Sequence, residues 1–115
     1  MSLKVGTVVL EEYNSNWKEM YKKEEEILKQ LLKDNIIEIR HVGSTSIEGL
    51  PAKPVIDIMV TVKELNSVEN FKHLFANQLG YDFRDDGGVK GEYLVRKGNE
   101  DARTHFIHII ELYFE

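Results

Sequence analysis

Trp17, Met20, Tyr21, Ile27, Leu28, Leu31 and Leu32 fall at the three- and four-residue spacings of one helical face, while Lys18, Glu19, Lys22, Lys23, Glu25 and Glu26 lie on the other. That period predicts an amphipathic helix laid with one face on a sheet. Asn14, Ser15 and Asn16 supply N-cap candidates, and Glu19, three residues beyond Asn16, completes a capping-box pattern. The pattern then changes to period two. IIEIRHV, from Ile36, and PVIDIMVTV, from Pro54, are rich in β-branched residues and read as strands. In the second, Ile56, Ile58, Val60 and Val62 share one face, and Val55, Asp57, Met59 and Thr61 share the other.

Asn66 with Glu69 repeats the capping-box spacing, and Val68, Phe71, Leu74, Phe75 and Leu79 form an apolar stripe ending at Gly80, which predicts a second helix. YDFRD, VKGEYLVRK and ARTHFIHIIELYF follow as strands joined by Gly, Asp and Asn turns, and residues 5–10 read as a short strand or arm at the start. The order arm, helix, strand, strand, helix, three strands predicts an α+β fold with a mixed, mostly antiparallel sheet and helices mainly on one face. With 115 residues there is room for one core, so residues 1–115 are read as a single domain.

Composition narrows the function classes. Fifteen Lys and Arg against 20 Asp and Glu leave a net charge of −5, which argues against a nucleic-acid polymer as partner but not against a small phosphate-bearing ligand in a local pocket. The absence of cysteine removes disulfides, thiolate metal sites and thiol nucleophiles. MSLKVGTVVLEEY has too short an apolar run for a signal peptide or membrane span, so a cytoplasmic protein without membrane attachment is expected.

The stretch HVGSTSIEGLPAKPVIDIMV carries the candidate chemistry. Gly43 and Ser44 follow a strand, where glycine allows close approach of a ligand and amides and hydroxyls can face an anion; a simple turn accounts for the same residues. The spacing is not that of a Walker A loop, since Lys53 lies too far from Gly43. Asp57 stands between Ile56 and Ile58, and burying it is costly without a partner or a metal. Arg40, Lys53 or loop amides can serve as partner, and Mg²⁺ can serve as metal. His41 adjoins the loop. His105, His108 and Glu111 are regularly spaced, but on a strand His105 and Glu111 face one way and His108 the other, which argues against a shared metal.

His41 to Ser46, Gly49-Leu50, Ala52-Lys53-Pro54 and Val55 to Ile58 closely resemble the defining block of the GrpB-like family of bacterial proteins. The Asn-Ser-Asn-Trp helix start, Arg103-Thr104-His105 and Ile107-His108 extend the resemblance over nearly the whole chain. It implies a fold of the polymerase-β-like nucleotidyltransferase superfamily, in which a Gly-Ser pair precedes a strand bearing two acids. The implied site has Asp57 as catalytic residue and Mg²⁺ ligand. Around a nucleotide or other phosphorylated small molecule it places His41, Gly43, Ser44, Thr45, Ser46, Lys53, Arg96, Arg103 and His105. Two departures follow from the same comparison. Met59 occupies the second acid's position and Phe106 the third's, so Glu92, Glu111 or Asp85 substitutes only if the fold brings it to Asp57. Relatives usually continue with helices beyond the strand at 103–112, which leads to the expectation of a naturally short or truncated chain, and of a homo-oligomer formed through the apolar last strand. The readings that stay open are a nucleotidyltransferase and a catalytically degenerate ligand-binding or protein-interaction module.

Overall fold

The computed structural model describes residues 10–65, 68, 81–84, 92–99 and 102–111. Residues 5–9 of the expected arm, nearly all of the second helix and Asp85 lie outside them. Helix α1 spans Asn16–Leu32, and the strands are β1 Ile36–Val42, β2 Ile56–Val62, β3 Tyr81–Arg84, β4 Glu92–Asn99 and β5 Ala102–Glu111. They form one sheet in the order β1-β2-β5-β4-β3. β2 and β5 run parallel at its centre, and the other three pairings are antiparallel. The expected mixed, mostly antiparallel α+β architecture is therefore present.

The start of α1 departs in detail from the predicted capping box. Ser15 is at the N-cap without a side-chain cap bond, and Asn14 Oδ1 accepts the amide of Asn16, the first helical residue, at 2.9 Å. Trp17, Leu28 and Leu32 are buried on the face that meets the sheet, with Met20, Tyr21 and Leu31 packed around them. Beneath them lie Ile56, Ile58, Val60, Val62, Ile107 and Ile109, all fully buried. Each such side chain contributes roughly 1.5–3 kcal/mol by leaving water, which holds the helix on this face of the sheet. The other face carries Asp57, Met59, Phe106, His108 and Arg96, and no described helix covers it.

Two local devices set the position of Asp57. Asn35, just before β1, accepts the Glu64 amide through Oδ1 and donates to the Glu64 carbonyl through Nδ2, both at 3.0 Å. This clamp ties the beginning of β1 to the end of β2 and fixes a register in which Val42 pairs with Asp57. At the other end, Glu11 and Ala52 exchange two backbone hydrogen bonds of 2.9 Å, anchoring the long loop between β1 and β2. Self-association is expected through the apolar side of the last strand. β5 sits between β2 and β4 and so offers no free edge, while no described helix covers its Asp57-side face.

Candidate functional site

Gly43 leaves β1 with φ 75° and ψ −173°, a backbone conformation accessible essentially to glycine alone. A Cβ at this position would lie 2.6 Å from Asp57 Oδ2, so the loop backbone is pressed against the acid. Residues Ser44–Ser46 then form one 3-10 turn. Ser46 donates its hydroxyl to the Gly43 carbonyl at 2.6 Å and so serves the turn itself. The amides of Ser44 and Thr45 find no acceptor among the described residues.

Thr45 is buried and donates to the Val55 carbonyl at 3.3 Å. Its single proton is thereby used, so the 2.9 Å contact with His41 requires His41 Nε2–H as donor. The His41 ring also stacks on Tyr21, with centroids 4.9 Å apart and planes 10° from parallel. Burial pushes its pKa below the ordinary value. His41 thus holds the loop against α1 from beneath, and its ring is committed to Thr45 and Tyr21.

Ser44, Thr45, Lys53, Val55, Asp57 and Phe106 line a cleft of about 160 Å³. Ligand pockets for drug-sized molecules start at about 300 Å³, so this cleft has room for a small polar group only, and anything larger would extend onto the open sheet face. Asp57 is half-buried, and burial pushes its carboxyl above the ordinary range, opposed by the charges of His108 and Lys53. Its carboxylate has no hydrogen bond or ion pair among the described residues. Arg40 meets Glu38 at 3.6 Å, and Lys53 lines the same cleft without an ion pair to Asp57, although its charge lowers the Asp57 pKa.

The remaining site candidates divide between the two faces. Arg96 and Arg103 are on the open face, ion-paired to Asp82 rather than to the cleft. His105 is on the opposite face under α1, where it is 95% buried, so it does not join Asp57 around one ligand. There its Nδ1 is 2.8 Å from Thr104 Oγ1, and Nε2 lies 3.9 Å from Glu24. Burial pushes the His105 pKa down against the pull of Glu24, and Lys97 adds to the lowering. Among the candidate replacement acids, Glu111 pairs with Val62 at the far end of β5 and accepts the Leu65 amide at 2.9 Å. Glu92 is held by His108 at 2.8 Å. No cluster of three or more metal-ligating side chains of the His, Cys, Asp and Glu types occurs among the described residues. Phe106 does pair with Asp57 across the parallel strands, at the position expected for the third acid.

Sequence reading missed Glu24, which is 97% buried between α1 and the sheet and bonded to Tyr81 and Lys97. The signal was present in the spacing, because Glu24 falls between Tyr21 and Leu28 on the inward stripe.

The depressed pKa values of His41 and His105 give a signed expectation. A histidine held below its unfolded value binds protons more readily when unfolded, so stability is full above about pH 6.5 and declines as pH falls through and below that value. The urea midpoint is expected to drop between pH 7.5 and 5.5, with a shallower drop in His41→Asn. A midpoint independent of pH in this window contradicts the buried neutral histidines.

Comparison with known proteins identifies the family. The sequence profile described as GrpB protein matches residues 7–113. The chain belongs to the GrpB family. It is 32% identical over 109 residues to glutamate-rich protein GrpB of Alkalihalophilus pseudofirmus, covering 92% of this chain and 63% of that protein. It is 38% identical over 100 residues to the UPF0157 protein YqkA of Bacillus subtilis, covering 86% of this chain and 28% of the relative. The chain thus spans under two thirds of the length of these relatives. The crystal structure of conserved protein GrpB from Enterococcus faecalis superposes with a TM-score of 0.84 at 38% identity, over 90% of this chain and 61% of that one. This GrpB-family chain has no helix among its described residues long and apolar enough to cross a membrane.

Proposed function

We propose that this GrpB-family chain binds a phosphorylated small molecule, a nucleotide foremost, at the Gly43–Ser44 loop, with one Mg²⁺ held by Asp57. The observation that carries the reading is the Asp57 carboxylate: half withdrawn from water, unpartnered among the described residues, and lining a phosphate-sized cleft beside Ser44. A structural acid in this position would have a donor. A metal site explains its lack of one, since Mg²⁺ is commonly held by one or two carboxylates with substrate phosphate oxygens and water completing the octahedron.

The donor set fits one such ion. Asp57 supplies the hard oxygen, Ser44 a hydroxyl at the cleft, and Lys53 a cation at its rim. Bound Mg²⁺ would supply charge neutralisation for the phosphate. A second ion does not fit, because Met59 offers only a soft thioether and Phe106 no donor at all. These two residues favour a second reading beside nucleotidyl transfer: a ligand-binding module that keeps the phosphate cradle of the nucleotidyltransferase-like fold without two-metal chemistry. Both readings share the same binding step.

Calorimetric titration of ATP, CTP, GTP and UTP with and without Mg²⁺ tests that step. Mg²⁺-dependent binding is expected, weakened at least about tenfold in Asp57→Asn. The same variant carries a stability sign. The folded pKa of Asp57 lies above its ordinary 3.8, so its favourable contribution is complete below that value and is lost as pH rises through the folded pKa. At neutral pH the ionised acid therefore costs stability, and ligand-free Asp57→Asn is expected to melt higher than the parent. An unchanged affinity together with a lower melting temperature would make Asp57 a structural acid and refute the proposal.

A further inference from the structure

The row of side chains that crosses the open face through Asp57 continues past Phe106 to Arg96 and Asp82. Strands are spaced about 4.8 Å apart, so the backbones of Asp57 and Arg96 are about 10 Å apart with the Phe106 ring between them. Arg103 joins this row through an irregularity in β5. Lys97 pairs with His105 and Gly98 with Arg103, leaving Thr104 as an extra residue. Such a bulge reverses the facing of the residues beyond it. Without it Arg103 would share the helix-covered face with His105; with it Arg103 Nη2 reaches Asp82 Oδ2 at 3.1 Å.

Among the described residues the charges at this end do not balance. Arg96 and Arg103 both bond to the same oxygen of Asp82, and one carboxylate neutralises one guanidinium. The two arginine side chains are only 23% and 14% exposed, whereas Asp82 is 44% exposed. Arg96 Nε is buried with no acceptor. Among the described residues, two cations are thus largely removed from water beside one acid, an arrangement that is costly unless a further anion completes it.

We propose that Arg96 and Arg103 form a second anion subsite, so that the ligand of this face is a phosphate ester bearing another acidic group across a flat apolar spacer. The phosphate lies at Ser44 and Asp57, the spacer against Phe106, and the distal carboxylate or phosphate at the arginine pair. The inference rests on the phosphate reading of the Asp57 cleft and narrows its substrate class from nucleotides in general to phosphate esters that carry a second acid. It also gives a role to the bulge near the start of β5, which turns Arg103 to the open face.

Phenyl phosphate and 4-carboxyphenyl phosphate, titrated calorimetrically in Mg²⁺, distinguish the two ends. The carboxylated probe is expected to bind about tenfold more tightly, as one added charge-assisted contact provides. Arg103→Gln is expected to abolish that advantage while leaving phenyl phosphate affinity unchanged, and Arg96→Lys, which keeps the charge and protects the fold, to reduce it. Equal affinity for both probes, or an advantage that survives Arg103→Gln, overturns the subsite. If both probes bind equally and Asp57→Asn weakens both, only the subsite falls. If the advantage depends on Arg103 while Asp57→Asn changes nothing, the subsite stands and the metal reading falls. Absence of binding by either probe at millimolar concentration overturns both.

Discussion

Gly43→Ala is expected to destabilise the protein by about 3 kcal/mol, combining backbone strain with a forced contact. The strain arises because φ 75° and ψ −173° lie outside the territory of residues with a Cβ. The contact arises because that Cβ would sit 2.6 Å from Asp57 Oδ2 and 3.2 Å from Asp57 Cβ. Rotating the carboxylate can relieve the first approach, but the Asp57 Cβ is fixed by β2. Gly49 is the internal control. It also has positive φ, 84°, but nothing lies within 4 Å of its added Cβ. Gly49→Ala should therefore cost only the backbone component, about 1 kcal/mol. Urea unfolding of the two variants measures the difference, and equal losses would mean that the loop does not press on Asp57. The same clash should displace the carboxylate, so Gly43→Ala is expected to lose Mg²⁺-dependent ligand binding even at temperatures where it stays folded.

The second large effect is expected on the other side of the sheet. Glu24→Ala should cost about 3 kcal/mol, because a buried ion pair that loses one partner leaves the other uncompensated. Tyr81, Lys97 and His105 are consecutive neighbours across β3, β4 and β5, and Glu24 descends on them from α1. Burial and Glu24 together push the Tyr81 hydroxyl pKa well up, so it stays protonated and donates. Removing the carboxylate takes an acceptor from that hydroxyl and the ion-pair partner from the Lys97 ammonium. The double variant Glu24→Leu, Lys97→Met should recover much of the loss, since apolar replacement of a buried pair is often close to neutral. Equilibrium unfolding of the single and double variants decides it. A Glu24→Ala protein as stable as the parent would mean that the carboxylate is already satisfied by water. Phosphate and metal binding should be unaffected, as the cluster lies under α1 and the cleft lies on the opposite face.

Much of this architecture was legible before any coordinates. The three-and-four spacing from Trp17 to Leu32 specified α1 and its inward side, and the strict alternation from Ile56 to Val62 separated a core face from one carrying Asp57. The cleft could also be read in part, because Gly43, Ser44, Lys53 and Asp57 fall close together in sequence on either side of one loop. Distal contributions were harder. The sequence groups Arg96, Arg103 and His105 with the phosphate, whereas two of them meet Asp82 and the third lies beneath the helix. Alternation alone would put Arg103 and His105 on one face; a one-residue bulge separates them.

Local periodicity, loop chemistry and family membership were thus determined by the sequence itself, since each depends on residues near one another in the chain or on a shared motif. Tertiary structure alone decided the insertion of β5 between β2 and β4, the pairing of Phe106 with Asp57, the descent of Glu24 onto Tyr81 and Lys97, and the convergence of two arginines on one acid. Those outcomes rest on sheet order and register between distant segments. A period-two pattern shows which residues share a face of one strand, but which strand comes to lie beside it is set by the packing of the whole core.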